Sequence, residues 1–157
     1  TSNQEHTDYQ QTQTKNMILF QTINKSMPAL DEKKVTRWIK STVREFDKII
    51  GIINFIFCTD DKILEINREH LQHEYYTDII TFDYSKKNII SGDIFISVET
   101  VQANADKYRI TFEKEILRVI IHGILHLCGL KDDSPEAQRI MTSNEDNALL
   151  RYFEPTT

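Results

Sequence analysis

Residues 77–98, TDIITFDYSKKNIISGDIFISV, hold two β-branched and aromatic runs, TDIITFDY and GDIFISV, joined by the polar turn SKKNIIS. Runs of this composition bounded by turn residues read as strands. Working outward, IINFIFCT (residues 52–59) is a third and more continuously apolar run, hence a buried strand, and MILFQTI (17–23) is a fourth. Helical patterns lie between and after them. Pro28 and Asp31 open a helix through WIKSTVREF with Val35, Trp38, Ile39, Val43 and Phe46 at helical spacing, and Gly51 is expected to break the chain after it. DDKILEINREHL has an aspartate cap and apolar Ile63, Leu64, Ile66 and Leu71. From Glu99 to Leu127 the pattern is helical in two pieces with a break near Ile110–Thr111. PEAQRIMTSNEDNALLRYF forms a last helix with Pro135 in its first turn. This alternation predicts one α+β domain of α/β-like character, a four-stranded mixed sheet packed by about five helices.

The chain has 157 residues, a length that fits one domain. Its 39% hydrophobic and 27% charged composition is that of a globular protein. Residues 1–16, TSNQEHTDYQQTQTKN, have too little apolar surface to offset the entropy of ordering them, so they read as a flexible tail before a domain over 17–157. Nineteen basic and 24 acidic side chains give a net charge of −5, which argues against indiscriminate nucleic-acid binding but not against a nucleic-acid substrate. No apolar run is long enough for a membrane span. Cys58 and Cys128 form no CxxC pair, so neither a disulfide scaffold nor a thiolate zinc site is expected, and a cytoplasmic setting fits best.

The chemistry concentrates in HGILHLCGLKDD, residues 122–133. His122 and His126 are four apart, so on a helix their imidazoles stack on one face and reach one ion of the zinc or nickel type. Gly129 stands where a left-handed residue ends a helix, and the reversal brings Asp132 back as a third ligand. Two nitrogens and one carboxylate leave a coordination position open, the mark of a catalytic rather than a structural centre. A bare HxxxH is more often coincidence. Here the rest of the helix is apolar, with Ile116, Leu117, Val119, Ile120, Ile121, Ile124, Leu125 and Leu127, which leaves the two histidines on the remaining stripe. Cys128 reads as a small buried side chain. The spacing also resembles that of metzincin peptidases, but the residue after the first histidine, a glutamate base in those enzymes, is Gly123 here.

A closer resemblance covers the chain from about Met17 to the last helix. HGILHLCG followed by an acidic residue is similar to the HGxLHLxGYDH signature of the YbeY family of bacterial endoribonucleases and rRNA maturation factors. Residues 77–82, TDIITF, resemble its TDVLSF signature, and 92–97, GDIFIS, its GDIxIS. The resemblance implies a single-metal endoribonuclease directed at single-stranded RNA, acting in ribosome assembly, chiefly at the 3′ end of small-subunit rRNA. It implies zinc first and nickel as the alternative, the small ribosomal subunit as partner, and a monomer. Two departures stand out. The family's third metal-ligating histidine is Asp132 here, and an arginine it carries before TDVLSF aligns with Leu71.

Phosphate contact must then come from another cation: Arg68, His70 or His73 nearby in sequence, or Arg118, one turn before His122. Arg118 is the preferred choice, because its position follows from helix geometry; it could equally pair with Glu115 or Glu113. Arg118, His122 and His126 are therefore the candidate catalytic residues, and Thr77, Asp78 and His73 the candidate substrate contacts. Thr77 and Asp78 could equally cap a strand, and Asp93 is more often a turn residue. Lys33, Lys34, Arg37, Lys40, Arg44 and Lys48 give the first helix a basic stripe, by default a solvated face and otherwise an RNA or ribosome contact. The rival readings are a metal-stabilised assembly factor that does not cut and, opposed by Gly123, a metallopeptidase.

Overall fold

The structure, a computed structural model, describes residues 16–71 and 77–154. The expected tail lies almost wholly outside them, as does His73. The elements run β1 (Met17–Thr22), α1 (Glu32–Glu45), β2 (Ile49–Cys58), α2 (Asp60–Ile66) extended by a π-helical turn (Asn67–Leu71), β3 (Ile79–Asp83), β4 (Ile89–Ser97), α3 (Val98–Tyr108), α4 (Phe112–Leu127) and α5 (Pro135–Phe153). The four strands form one sheet in the order β1-β2-β4-β3. The pairs β1–β2 and β2–β4 are parallel and β3–β4 is antiparallel, so the sheet is mixed as expected.

The core lies mainly on one face of the sheet. Ile53, Phe55 and Phe57 of β2 and Ile90, Ile94 and Ile96 of β4 alternate inward and meet α1, α3, α4 and α5. α4 is the central element: Ile116, Leu117, Ile120, Ile121, Ile124 and Leu125 are all fully buried. Each such side chain contributes about 1.5–3 kcal/mol, so Ile120→Ala would cost about 2–5 kcal/mol once the cavity is included. A smaller cluster of Cys58, Ile63, Ile66 and Ile80 covers the other face under α2.

Local chemistry sets the boundaries. Asp31 caps α1 by accepting from Lys34 N at 3.1 Å, and Thr111 caps α4 by accepting from Lys114 N at 3.1 Å. Arg109 adopts φ 56° at the end of α3, which is the expected break before α4. Four expectations need correction. Gly51 does not break the chain; it lies inside β2 at a register shift, where a Cβ would collide with Ser91 Oγ, the acceptor for Ile52 N at 3.1 Å. The cap of α2 is Thr59, accepting from Lys62 N at 3.2 Å. Asp60 instead uses its carboxylate on the hydroxyls of Ser97 and Thr100, tying α2 to the start of α3. Finally, β4 begins at Ile89, so only Tyr84–Asn88 turns, and Asp93 is a mid-strand residue that accepts from Asn54 Nδ2 at 3.0 Å.

Gly92 explains why a glycine precedes Asp93. A Cβ there would lie 2.6 Å from Phe82 O and 3.0 Å from Leu127 Cδ2. Its absence lets the last turn of α4 press onto β4, which fixes the end of the helix that carries the two histidines.

Candidate metal centre

His122 and His126 stand half-buried on the stripe of α4 that also carries Arg118, with their rings 4.5 Å apart and nearly perpendicular. The helix ends as the spacing predicts. Gly129 has φ +106°; its N–H donates to His126 O at 2.9 Å, and Leu130 N–H donates to Leu125 O at 3.0 Å. That pair of bonds is the Schellman arrangement, which needs a left-handed residue at this point. The reversal brings Asp132 over the histidines: its Oδ2 lies 3.4 Å from His122 Nε2 and 3.3 Å from His126 Nε2. The three ligand atoms all lie within 4.8 Å of one another.

The remaining ring nitrogens fix the tautomers. His122 Nδ1 is 2.6 Å from Glu145 Oε2, and His126 Nδ1 is 2.9 Å from the carbonyl of Leu130. A carboxylate and a carbonyl only accept, so each Nδ1 carries a proton, and in the ligating form each ring turns its Nε2 lone pair toward Asp132. In that form three electron-pair donors converge, an arrangement that a cation relieves. The spacing suits a small tetrahedral ion. Arms of about 2.0–2.1 Å subtend edges of about 3.3–3.4 Å, close to the separations found. The donor set therefore fits a divalent ion such as zinc.

A cleft of about 650 Å³ opens over this group. Thr77, Asp78, Arg118, His122, His126 and Asp132 all line it, together with Glu115 and Glu145. Thr77 and Asp78 precede β3 rather than lying in it, and Asp78 O accepts from Ser97 N at 2.9 Å. Burial raises the Asp78 pKa above the ordinary carboxylate range, partly offset by His122. Burial likewise raises that of Glu115, and Asp78 adds to the effect. For His122, burial lowers the pKa, but the hydrogen bond and charge of Glu145, backed by Asp132 and Asp78, outweigh it and leave the value raised.

Arg118 pairs with neither Glu113 nor Glu115. Its Nη1 donates to Glu145 Oε1 at 2.9 Å and its Nη2 to Asp146 Oδ1 at 2.7 Å. A chain Arg118–Glu145–His122 therefore runs along one wall of the cleft. Glu145 is the residue that sequence reasoning missed. It sits on the buried stripe of α5 with Met141, Ala148, Leu149 and Tyr152, and a carboxylate at a core position of an amphipathic helix was the available signal. Of the other cations considered, Arg68 lines a separate groove with Asp61, Leu64, Glu65 and Glu69. His70 lies edge-on to Phe82 at 5.9 Å, away from the cleft lining. Cys128 and Cys58 are buried thiols with pKa values pushed up to about 11, so neither is a nucleophile at neutral pH.

Gly123 closes the peptidase comparison. A Cβ there would meet Ile79 Cδ1 and Ile94 Cδ1 at 3.1 Å, so a side chain would enter the interface between α4 and the sheet. The position has neither a base nor room for one.

The family model described as Endoribonuclease YbeY matches residues 19–153. Proteins named Endoribonuclease YbeY from Phocaeicola vulgatus and Bacteroides fragilis are 52% and 51% identical over 133 and 132 residues, covering 85% and 84% of this chain and 96% and 95% of their own. One from Parabacteroides distasonis is 53% identical over 123 residues, 78% of this chain and 87% of its own. A solution structure from Thermotoga maritima superposes with a TM-score of 0.62 at 26% identity, covering 87% of this chain and 89% of that one. With a donor set fit for one metal ion, three matching signatures and relatives of nearly its own length, the chain belongs to the YbeY family of endoribonucleases.

Proposed function

We propose that this chain, an RNA-cleaving hydrolase by family, cuts single-stranded RNA at one divalent ion held by His122, His126 and Asp132, and that its substrate is the 3′ end of small-subunit rRNA during ribosome assembly. The observation that carries the reading is the approach of one carboxylate oxygen to two Nε2 atoms, at 3.4 and 3.3 Å, with all three atoms within 4.8 Å of one another in an open cleft. The tetrahedral fit of that spacing favours zinc over nickel. When bound, the ion polarises a phosphodiester oxygen as a Lewis acid.

The chain's own residues supply the rest. Glu145 and the Leu130 carbonyl hold the Nδ1 protons and so keep both Nε2 lone pairs aimed into the cleft. Arg118 fixes Glu145 and brings positive charge to a wall otherwise lined by carboxylates, where it stabilises charge developing on the phosphate. Thr77 and Asp78 face the substrate; a carboxylate there accepts from hydroxyl or amino groups of RNA, not from its phosphates. His73, outside the described residues, stays in the reading as a further substrate contact from the segment before Thr77. We take the chain to act as a monomer. An rRNA substrate supports a cytoplasmic location; among the described residues no helix is long and apolar enough to cross a membrane.

Incubation with unstructured RNA and with casein, each with and without chelator, tests the proposal. RNA cut only without chelator and casein untouched is the expected result. Metal-loaded protein that cuts no RNA would favour the non-cutting assembly factor suggested by Leu71.

A further inference from the structure

The cleft sets a problem that the rest of the molecule answers. Its described lining includes Asp78, Asp83, Glu115, Asp132 and Glu145, and the one Lys or Arg among those described residues, Arg118, is already engaged by two carboxylates. The chain as a whole carries −5. A polyanion is held by such a surface only if cations elsewhere neutralise its phosphates.

α1 has those cations. Lys33, Arg37, Lys40 and Arg44 follow one another at intervals of four, three and four residues. At about 100° per residue they fall within an arc of about 60° and span about 16 Å of helix. The row lies opposite the stripe of Val35, Trp38, Ile39, Thr42 and Val43 that α1 buries. Neither Glu32 nor Glu45 falls within it, and Glu45 is turned to Arg151. Among the described residues none of the four has a carboxylate partner, although acidic side chains outnumber basic ones in the chain. Steps of about 5–6 Å between side chains are comparable to the repeat of phosphates along a strand.

A groove of about 500 Å³ runs beside the row between α1 and the edge strand β1. Ile18, Leu19 and Phe20 give it an apolar wall, and Lys33, Thr36 and Arg37 a polar and cationic one, with Glu32 also among its lining residues. Apolar surface beside spaced cations suits bases on one side and phosphates on the other. None of the residues lining the metal cleft comes from α1.

We propose that the α1 row and the β1–α1 groove form a second RNA-binding surface, separate from the metal cleft, that holds the backbone of a single strand remote from the cut. The proposal rests on the ribonuclease reading for its choice of RNA over an acidic protein. An RNA long enough to cover both surfaces is therefore bound through phosphate contacts beyond the one made at the metal and Arg118.

Fluorescence anisotropy tests it, with a labelled unstructured RNA of about 25 nucleotides titrated with the full chain as purified, from about 50 to 200 mM salt. Against wild type, K33Q/R37Q/K40Q/R44Q should bind at least about tenfold more weakly and lose about 3 from the slope of log affinity against log salt, at about 0.7 per phosphate contact in a single strand. Affinity and slope unchanged in a variant that melts like wild type would overturn the proposal. So would intact RNA binding with lost binding of polyglutamate, which would assign the row to an acidic protein. If the fourfold variant melts early, K33Q/R37Q and K40Q/R44Q are read instead, each removing about half of the slope change. Because binding is read without cleavage, a chain that binds through α1 but never cuts would defeat the ribonuclease reading alone.

Discussion

Glu145 offers the sharpest quantitative test of how the centre is built. Its Oε2 lies 2.6 Å from His122 Nδ1, and its Oε1 2.9 Å from Arg118 Nη1. Replacing it with Gln keeps an acceptor for Nδ1–H but removes the charge. A charge-assisted hydrogen bond contributes about 1.5–3 kcal/mol and a neutral one about 0.5–1.5. The difference, about 1–1.5 kcal/mol, is close to tenfold in zinc affinity. Glu145→Ala leaves the Nδ1–H without its acceptor and frees the ring to turn, so the loss should reach about 10–100-fold. Asp146 still holds Arg118 in both variants, which limits collateral disorder. Competition with a chromophoric chelator at fixed pH measures the affinities, and melting in excess chelator checks the fold. The expected order is wild type, then Gln, then Ala. Three affinities within twofold of one another, in folded proteins, would refute the idea that Glu145 orients the ligand.

Asp132→Ala should weaken zinc by about a hundredfold or more, about 2.7 kcal/mol, whereas Asp132→His should retain it; equal affinity in wild type and Asp132→Ala would make Asp132 a loop residue only. Arg118→Ala should slow RNA cleavage at least about tenfold, about 1.4 kcal/mol of transition-state stabilisation, and an unchanged rate would reduce Arg118 to a structural partner of α5. Without metal, the raised His122 pKa contributes stability that is fully present below about pH 6.5, the ordinary histidine value, and is lost as pH rises through the folded-state value. The raised Asp78 and Glu115 values have the same sign, with a window that opens lower, at the ordinary carboxylate values. Melting of the chelated chain should therefore fall between about pH 6 and pH 8, while the added stability from zinc grows over that range because Nε2 must be unprotonated; a chelated chain that gains stability over the interval would contradict this.

The parts of the site that depend on local geometry were legible in the sequence. A four-residue spacing on a helix, a glycine at the chain reversal and an acid three residues later place His122, His126 and Asp132 together through helix periodicity and one left-handed residue. The break before α4 was legible for the same reason. What escaped depends on tertiary packing or on backbone atoms. Glu145 comes from a helix whose register against α4 is set by Met141, Ala148 and Leu149, not by anything near residue 122. The acceptor for His126 is the backbone carbonyl of Leu130, which no side-chain pattern reveals. Gly51 looked like a break because glycine weakens strands, but the close approach of Ser91 requires it there. Asp60 looked like a cap because aspartate caps well, yet Thr59 takes that role and leaves Asp60 to join α2 to α3.

Cleavage of unstructured RNA by chelated protein titrated with zinc, in wild type and in His126→Ala, tests the central claim most directly. The account predicts that wild-type activity rises to a plateau at one equivalent of zinc per chain and that His126→Ala stays inactive at the same metal concentration while keeping its fold. Full cleavage by the chelated wild type, or wild-type rates in His126→Ala, would contradict it.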